Sequence, residues 1–331
     1  MLYKGETIPR QRHVVTWTFV ALAEAYKADR DVGLSEDEAK RVNRLLHWIP
    51  KGKSADEVDG SFLTEVVSKK RWPNGTSSAS RHREVVGVAK AIRSFGASKG
   101  WCKHPSDYPK SPPYKGEIEW LDPDEFLRLQ AAVPPDLASF MLFLVSTGPR
   151  AGEGVEVDRA NFRYGWITIV QTKIGGEKRL VQLFPRAREV VLRQIAGGPR
   201  EGRLFPTVDG TRLPDGTEQS KKVVNCYLRQ AAERCRIRKA VTLKLFRSTW
   251  TSWHLCVFHD IILTQNVGVW KSMPVVLRHY AGLMPPEMAP DIAKIWGLDL
   301  SDLTRWRTPG KFAPVPLGGQ RPAHGGGHRS S

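Results

Sequence analysis

The sequence predicts a mainly α protein with a small β-hairpin (α+β class), built as two domains, and three observations carry that expectation. Four segments with helical apolar spacing occupy the first hundred residues. Residues 103–119, KHPSDYPKSPPYKGEIE, hold four prolines and no apolar period, which reads as an extended linker. Beyond it the pattern is mostly helical again, except for two short strand-like runs around a Gly-Gly turn. A chain of 331 residues that is 40% hydrophobic has enough apolar mass for two cores. The expected boundaries are a helical domain over residues 1–103, a linker over 104–118, a second domain over 119–300 and a tail over 301–331.

In the first domain, Val14, Trp17, Val20, Ala21 and Ala25 recur at helical spacing over residues 14–29. Ser35 and Glu38 form a capping box for a second helix that runs to Trp48. A third helix is expected over 56–70 and a fourth over 80–99. The fourth turns Val85, Val88, Ala89, Ile92 and Phe95 inward and Arg81, Arg83, Lys90 and Arg93 to other faces. An ordinary solvated face is the plain reading of those cations.

The second domain opens where Asp122 caps a helix with Pro123 first and Glu125 third. An apolar helix over 137–146 runs into Thr147-Gly148-Pro149-Arg150. Strands are expected over 166–170 and 179–183, and helices over 220–236, 245–257 and 286–296. The Gly- and Pro-rich stretch 309–331 has the composition of a disordered tail. No internal repeat is present.

A formal charge of +17 exceeds what solubility needs and points to a polyanionic partner, phosphate backbone being the commonest. An anionic membrane surface fits the charge too, but no run of about 18 apolar residues is present and the first residues lack the apolar core of a signal peptide. The expectation is a cytoplasmic protein with no membrane partner. Cys102, Cys226, Cys235 and Cys256 form no CxxC pair and have no histidine at zinc-ligand spacing, so neither a disulfide framework nor a metal site is expected. The histidines of the terminal HGGGH read as part of a polar tail.

Breaking and rejoining a phosphodiester without a metal needs a hydroxyl nucleophile, cations on the non-bridging oxygens and an acid for the leaving oxygen. Arg150 follows a tight turn, with Glu153 placed to face it across one helical turn. Alone, such a pair is usually a surface ion pair. Lys173 stands in the hairpin turn, where lysines are common and mostly carry no function; Lys178 and Arg179 compete with it there. Lys244 and Arg247 share one face of a helical turn, and a guanidinium fork suits two phosphate oxygens better than an ammonium.

Together these segments resemble the boxes of the tyrosine recombinases, the phage-integrase family. FLVSTGPRAGEGVEVDRANF is similar to the TG-x-R-x-x-E box, QTKIGGEKRLVQL to the hairpin after it, LKLFRSTWTSW to the H-x-x-R box, and VGVWKSMPVVLRHYAGLMPPEM to the box with the nucleophile. The resemblance spans residues 14–296. It implies a site-specific recombinase of a phage or other mobile element, acting in DNA integration, excision or resolution on double-stranded DNA. Arg150 and Arg247 would clamp the scissile phosphate, Lys173 would protonate the leaving oxygen, Trp270 would fill the His/Trp position and Tyr280 would attack. Glu153 would orient Arg150. The tyrosine ester conserves bond energy as a 3′-phosphotyrosine with a free 5′-hydroxyl, so neither ATP nor any metal or other cofactor is implied.

The family further implies a two-domain clamp on DNA, with Arg81, Arg83 and Lys90 as phosphate contacts of the helical core-binding domain. It implies a homotetramer on paired sites, in which helix 286–296 docks on a neighbour, with accessory DNA-bending proteins among the partners and nucleoid association when bound. The sequence departs from the family pattern at two places. Lys244 stands where the family has histidine, and one extra residue separates Trp270 from Tyr280, whose His279 neighbour is a bystander. Two other readings follow from these departures and from the shared chemistry: a DNA-binding protein with degenerate catalysis, and a type IB topoisomerase-like relaxing enzyme.

Overall fold

The structure, a computed structural model, describes residues 16–29, 31–112, 118–171, 177–279 and 284–306. The chain divides into two compact units, Met1–Gly116 and Glu117–Ser331. The first unit holds α1 (Phe19–Ala28), α2 (Glu36–Leu46), α3 (Gly60–Lys69), α4 (Ser78–His82) and α5 (Val88–Ser98). Thr18, Ser35, Asp59 and Ser77 begin α1 to α4 by accepting a backbone N–H three residues on. The box of Ser35 and Glu38 is closed in both directions.

The helix expected over 56–70 is split. Ser54 caps a 3-10 turn, Ala55–Glu57, and Asp59 then starts α3 afresh. The helix expected over 80–99 begins earlier, at Ser78, and carries a π turn, Arg83–Gly87, that buries Val85 and Val86 side by side. α1 buries Phe19, Leu22 and Ala23 rather than Ala21, because the helix starts at Thr18 and its inward stripe counts from Phe19. Val14 lies outside the described residues. Trp17 instead stacks on Trp101 at 4.3 Å.

Arg93, expected outward, is only 3% exposed. Its guanidinium donates to Asp56 Oδ1 (3.1 Å), Val58 O (3.4 Å) and Lys103 O (2.8 Å), which compensates the burial of its charge. The same knot fastens the start of the proline-rich stretch to the first unit. Asp107 accepts from Gly60 N (3.0 Å), and the Tyr108 hydroxyl donates to Val58 O (2.7 Å). Burial pushes the Tyr108 hydroxyl above the usual tyrosine range.

The second unit runs α6 (Pro123–Ala131), α7 (Pro135–Thr147), α8 (Ala151–Val155), β1 (Phe162–Arg163), β2 (Trp166–Gln171), β3 (Glu177–Gln182), α9 (Pro185–Ala196), β4 (Thr207–Val208) and β5 (Thr211–Arg212). It continues with α10 (Thr217–Arg234), α11 (Leu243–Phe258), α12 (Ile261–Gly268), α13 (Met273–His279) and α14 (Ala289–Trp296). The expected Asp122–Glu125 box opens α6. β1, β2 and β3 form an antiparallel sheet in that order, with Ile167 opposite Val181 and Ile169 opposite Arg179. The expected helix 286–296 is a 3-10 turn, Pro286–Met288, followed by α14. Residues assigned to the tail up to Trp306 pack on this unit, the Trp306 ring lying 5.4 Å from Phe184.

α11 is the axis of the unit. It is buried on nearly all sides and packs against α7, α8, α10, α12 and α14. A helix so placed must satisfy its polar side chains internally. Thr249 and Trp253 do so by gripping Leu121 from both ends, the hydroxyl accepting from its N–H (3.0 Å) and the indole donating to its carbonyl (2.8 Å). That pair ties the first residues of the unit to its centre.

His254, one turn beyond Trp250, is 2% exposed and meets Thr264 Oγ1 through Nδ1 at 2.7 Å. The single hydroxyl hydrogen of Thr264 goes to Asp260 O (2.8 Å), so Nδ1 must be the donor and carries the proton. Burial, against a weaker opposing pull from Asp260, pushes the imidazole down to about 3. The folded unit therefore resists a proton that the unfolded chain takes up near pH 6.5. Stability from this group is full above that pH and drains as pH falls toward 3. Urea unfolding at pH 7, 6 and 5 is expected to show a shallower acid loss in His254→Gln than in the parent. Equal slopes would place the acid sensitivity elsewhere.

Among the described residues no helix is long and apolar enough to cross a membrane, and no three His, Cys, Asp or Glu side chains are placed to share a metal ion.

Candidate functional site

The site grows from the end of α7. Gly148 closes that helix in the left-handed region at φ 59°, and a Cβ there would lie 2.2 Å from the Trp250 ring. Only glycine permits both the turn and the approach of α11. Pro149 follows, and Arg150 becomes the first cap of the short α8.

Glu153 holds Arg150 twice. Its Oε2 accepts from the Arg150 backbone N–H (2.8 Å) and its Oε1 from Nη1 (2.7 Å). The carboxylate is 2% exposed, so this is a buried orienting contact rather than a surface ion pair. Gln171, at the end of β2 and itself buried, offers Oε1 to the same Nη1 at 3.4 Å.

Arg247 enters from α11. Nη1 donates to Gly148 O (2.5 Å) and Nη2 to Gly268 O (2.9 Å), while the guanidinium carbon lies 4.3 Å from the Trp270 ring centroid. Trp270 also stacks on Trp250 at 5.8 Å. The shoulder that presents Trp270 turns at Val269, a β-branched residue at φ 50°, a costly conformation that the packed surroundings enforce.

Behind this pair lies Arg179, on the inner face of β3 and 2% exposed. Its Nη2 donates to Thr147 O (2.5 Å) and its Nη1 to Val267 O (3.1 Å). Burial, and then the like charge of Arg247, bring this guanidinium down to about 9, so it still carries its charge at neutral pH. The four carbonyls that Arg179 and Arg247 bind are the last ones of α7 and α12, with the α7 cap. Both cations therefore sit at the negative ends of two helices.

The structure thus brings together Arg150, Glu153, Arg247 and Trp270, and sets Lys244, exposed on the first turn of α11, at the same opening. A hollow of about 460 Å³ is lined by Arg150, Glu153, Lys244 and Arg247, with Lys221 and Glu218 of α10 across from them. Lys173 and Tyr280 lie outside the described residues. In the first unit Arg81 is already engaged, donating to Thr76 O (3.1 Å) with Trp72 beneath it, whereas Arg83 and Lys90 are exposed.

Gln171 and Arg179 both lie in the hairpin segment QTKIGGEKRLVQL, but sequence reasoning gives Gln171 no role and weighs Arg179 only as a competitor of Lys173. A parity count would have reached Arg179, since it falls in step with Val181 and Leu183 on the inward face. Chemically, three guanidinium groups face one carboxylate. The helix ends offset part of the surplus, and what remains suits an oxyanion seated in the hollow.

No family model matches the chain. It is 28% identical over 203 residues to the integrase of Salmonella phage P22, a stretch covering 58% of this chain and 51% of that protein, so it spans about half the length of the curated relative it matches. Among solved structures it is similar to a lambda integrase tetramer bound to a Holliday junction, with a TM-score of 0.60 and 14% identity over 86% of this chain and 80% of that one. It is also similar to the Tn1549 transposon integrase in complex with circular intermediate DNA, with a TM-score of 0.62 and 14% identity over 82% and 98% of the two chains.

The internal charge balance makes a direct prediction. Glu153→Gln leaves the Arg150 side chain without its carboxylate and is expected to lower unfolding free energy by about 3 kcal/mol. Added sulfate should recover part of the loss by occupying the hollow. Denaturant titration with and without sulfate measures both effects, and an unchanged midpoint would refute the orienting role.

Proposed function

We propose that this chain, whose fold is that of the tyrosine recombinases, is a site-specific DNA recombinase. It cleaves one strand of double-stranded DNA with Tyr280, holds the end as a 3′-phosphotyrosine and rejoins it to a new partner. The observation that carries this reading is the convergence of Arg150, Arg247 and Lys244 on one hollow, where Glu153 is held by Arg150 and the other two carboxylates, Glu156 and Glu218, are paired with Arg203 and Lys221.

Three cations around a diester phosphate match its charge, with the N–H groups of Arg150 and Arg247 that their internal bonds leave over directed to its non-bridging oxygens, and their attraction strengthens as a second negative charge develops in the transition state. In this scheme Arg150 and Arg247 hold the phosphate, Lys244 donates to one of its oxygens and Trp270 walls the site against Arg247. Lys173 protonates the leaving 5′-oxygen, and Glu153 keeps Arg150 in its working rotamer. The reaction exchanges one phosphate ester for another, so it consumes no nucleotide. Support for a homotetramer on paired sites comes from the likeness to lambda integrase, which was crystallised as a tetramer bound to a Holliday junction. The exposed cations Arg83 and Lys90 serve as phosphate contacts of the first unit, with Arg81 a weaker one because of its bond to Thr76.

A nicked suicide substrate carrying the cognate site tests the chemistry. The wild type is expected to leave a covalent protein–DNA adduct on a denaturing gel, and Tyr280→Phe none. Lys244→Ala is expected to lower the cleavage rate about 100-fold, and Lys244→His to retain more of it. Adduct formation by Tyr280→Phe would remove the nucleophile assignment. Binding without any adduct would identify a DNA-binding protein that has lost the reaction.

Affinity carries its own signature. Arg83→Gln and Lys90→Gln should each reduce the slope of log K against log salt by about 1, with Arg81→Gln changing it less. Filter binding across a salt series reads this, and unchanged slopes would take both residues off the DNA.

A further inference from the structure

We propose that Arg179 is a positioning residue: it locks the turn that presents Arg150 to the shoulder that presents Trp270, and so sets the geometry of the phosphate site. The inference rests on the recombinase reading for its consequence in catalysis, but the lock itself is a property of the folded chain.

The geometry is specific. Arg179 bridges Thr147 O and Val267 O, and Arg247 bridges the next carbonyl on each side, Gly148 O and Gly268 O. The two guanidinium groups thus span the same gap in parallel, one from the sheet and one from α11. Arg150 stands two residues beyond Gly148, and Trp270 two residues beyond Gly268. A shift of either turn therefore moves a residue at the hollow. Arg247 is placed to meet substrate, so a second bridge that does not touch substrate keeps the two turns in register when Arg247 engages it.

Chemistry selects arginine for this place. A planar fork can donate to two carbonyls in different directions from one rigid group, whereas an ammonium concentrates its donors on one atom. Burying a second cation beside Arg247 is tolerated because both meet the negative ends of α7 and α12. Arg179 also belongs to β3, so the lock joins that strand to both turns.

The test compares Arg179→Lys with Val181→Ala, a change on the same inward face of β3 that removes packing and leaves the lock intact. Hydrogen exchange without DNA is read at the Gly148 and Trp270 amides, which bond Leu144 O and Gln265 O. Arg179→Lys is expected to speed exchange at both amides together, and Val181→Ala at neither beyond its global stability loss. Single-turnover cleavage of the suicide substrate, measured well below the unfolding temperature, should fall about 100-fold in Arg179→Lys with DNA affinity nearly unchanged. Arg179→Met should fall further, so that lysine counts as partial rescue.

If Arg179→Lys and Val181→Ala show the same exchange and the same cleavage at matched stability, the residue is merely structural and the proposal is overturned. An Arg179→Lys loss seen wholly in DNA affinity overturns it as well. Absence of any adduct with the wild type would sink the recombinase reading instead, while the exchange comparison still decides whether the lock exists.

Discussion

Two buried guanidinium groups and the four carbonyls they bind hold the second unit's site in one shape. Arg179 and Arg247 reach across the ends of α7 and α12 and satisfy carbonyls that a helix terminus leaves without partners. Ordinarily such carbonyls face water or a capping turn. Here they face cations whose own desolvation must be offset, and each side of the contact meets the need of the other. The site's two turns are then determined by a rigid fork rather than by loop packing alone.

The axis that carries this arrangement is α11. Its apolar residues pack on five neighbouring helices, while Arg247 projects at its first turns, Trp250 stacks on Trp270 and His254 closes a hydrogen-bond chain to Asp260 O through Thr264. One helix thus sets the cation, the aromatic wall and the anchor of α12. Gly148 and Gly268 are the places where α11 and Trp270 approach backbone too closely for any Cβ, so the carbonyls stand within reach of the forks. Packing and electrostatics are in this sense one constraint.

How much of this could be read beforehand follows from the range of each interaction. The boxes at Ser35 and Glu38 and at Asp122 and Glu125 are closed within three residues, and they stand as expected. The strand pair and the helices α7, α10 and α11 are periodic enough to read, whereas α9, twelve residues long, is not among the expected helices. The short helices α8, α12 and α13 offer less than two or three turns of pattern, and Ile261–Gly268 is apolar without a clear stripe. Arg93 and Arg179 were the least legible. Their burial depends on acceptors 35, 37 and 10 residues away in one case and 32 and 88 in the other, and most of those separations exceed any local window. Resemblance to a family points to Arg150, Lys244, Arg247 and Trp270, yet Arg179, which ties their turns together, stands in the hairpin segment only as a competitor of Lys173.

Charge accounting explains why the cluster suits a phosphodiester in particular. Arg150, Arg179 and Arg247 against Glu153 leave two positive charges in excess, and the two helix ends together offset about one. The remainder is close to the single charge of a diester in its ground state. In the proposed reaction the phosphoryl oxygens gain a second charge, and Lys244, exposed at the rim, would meet them without the penalty of a buried ammonium. The buried charge lies deep among carbonyls, whereas the charge that the proposed reaction would call on sits on an exposed side chain. Under the proposed reaction, that division would favour the transition state over the ground state.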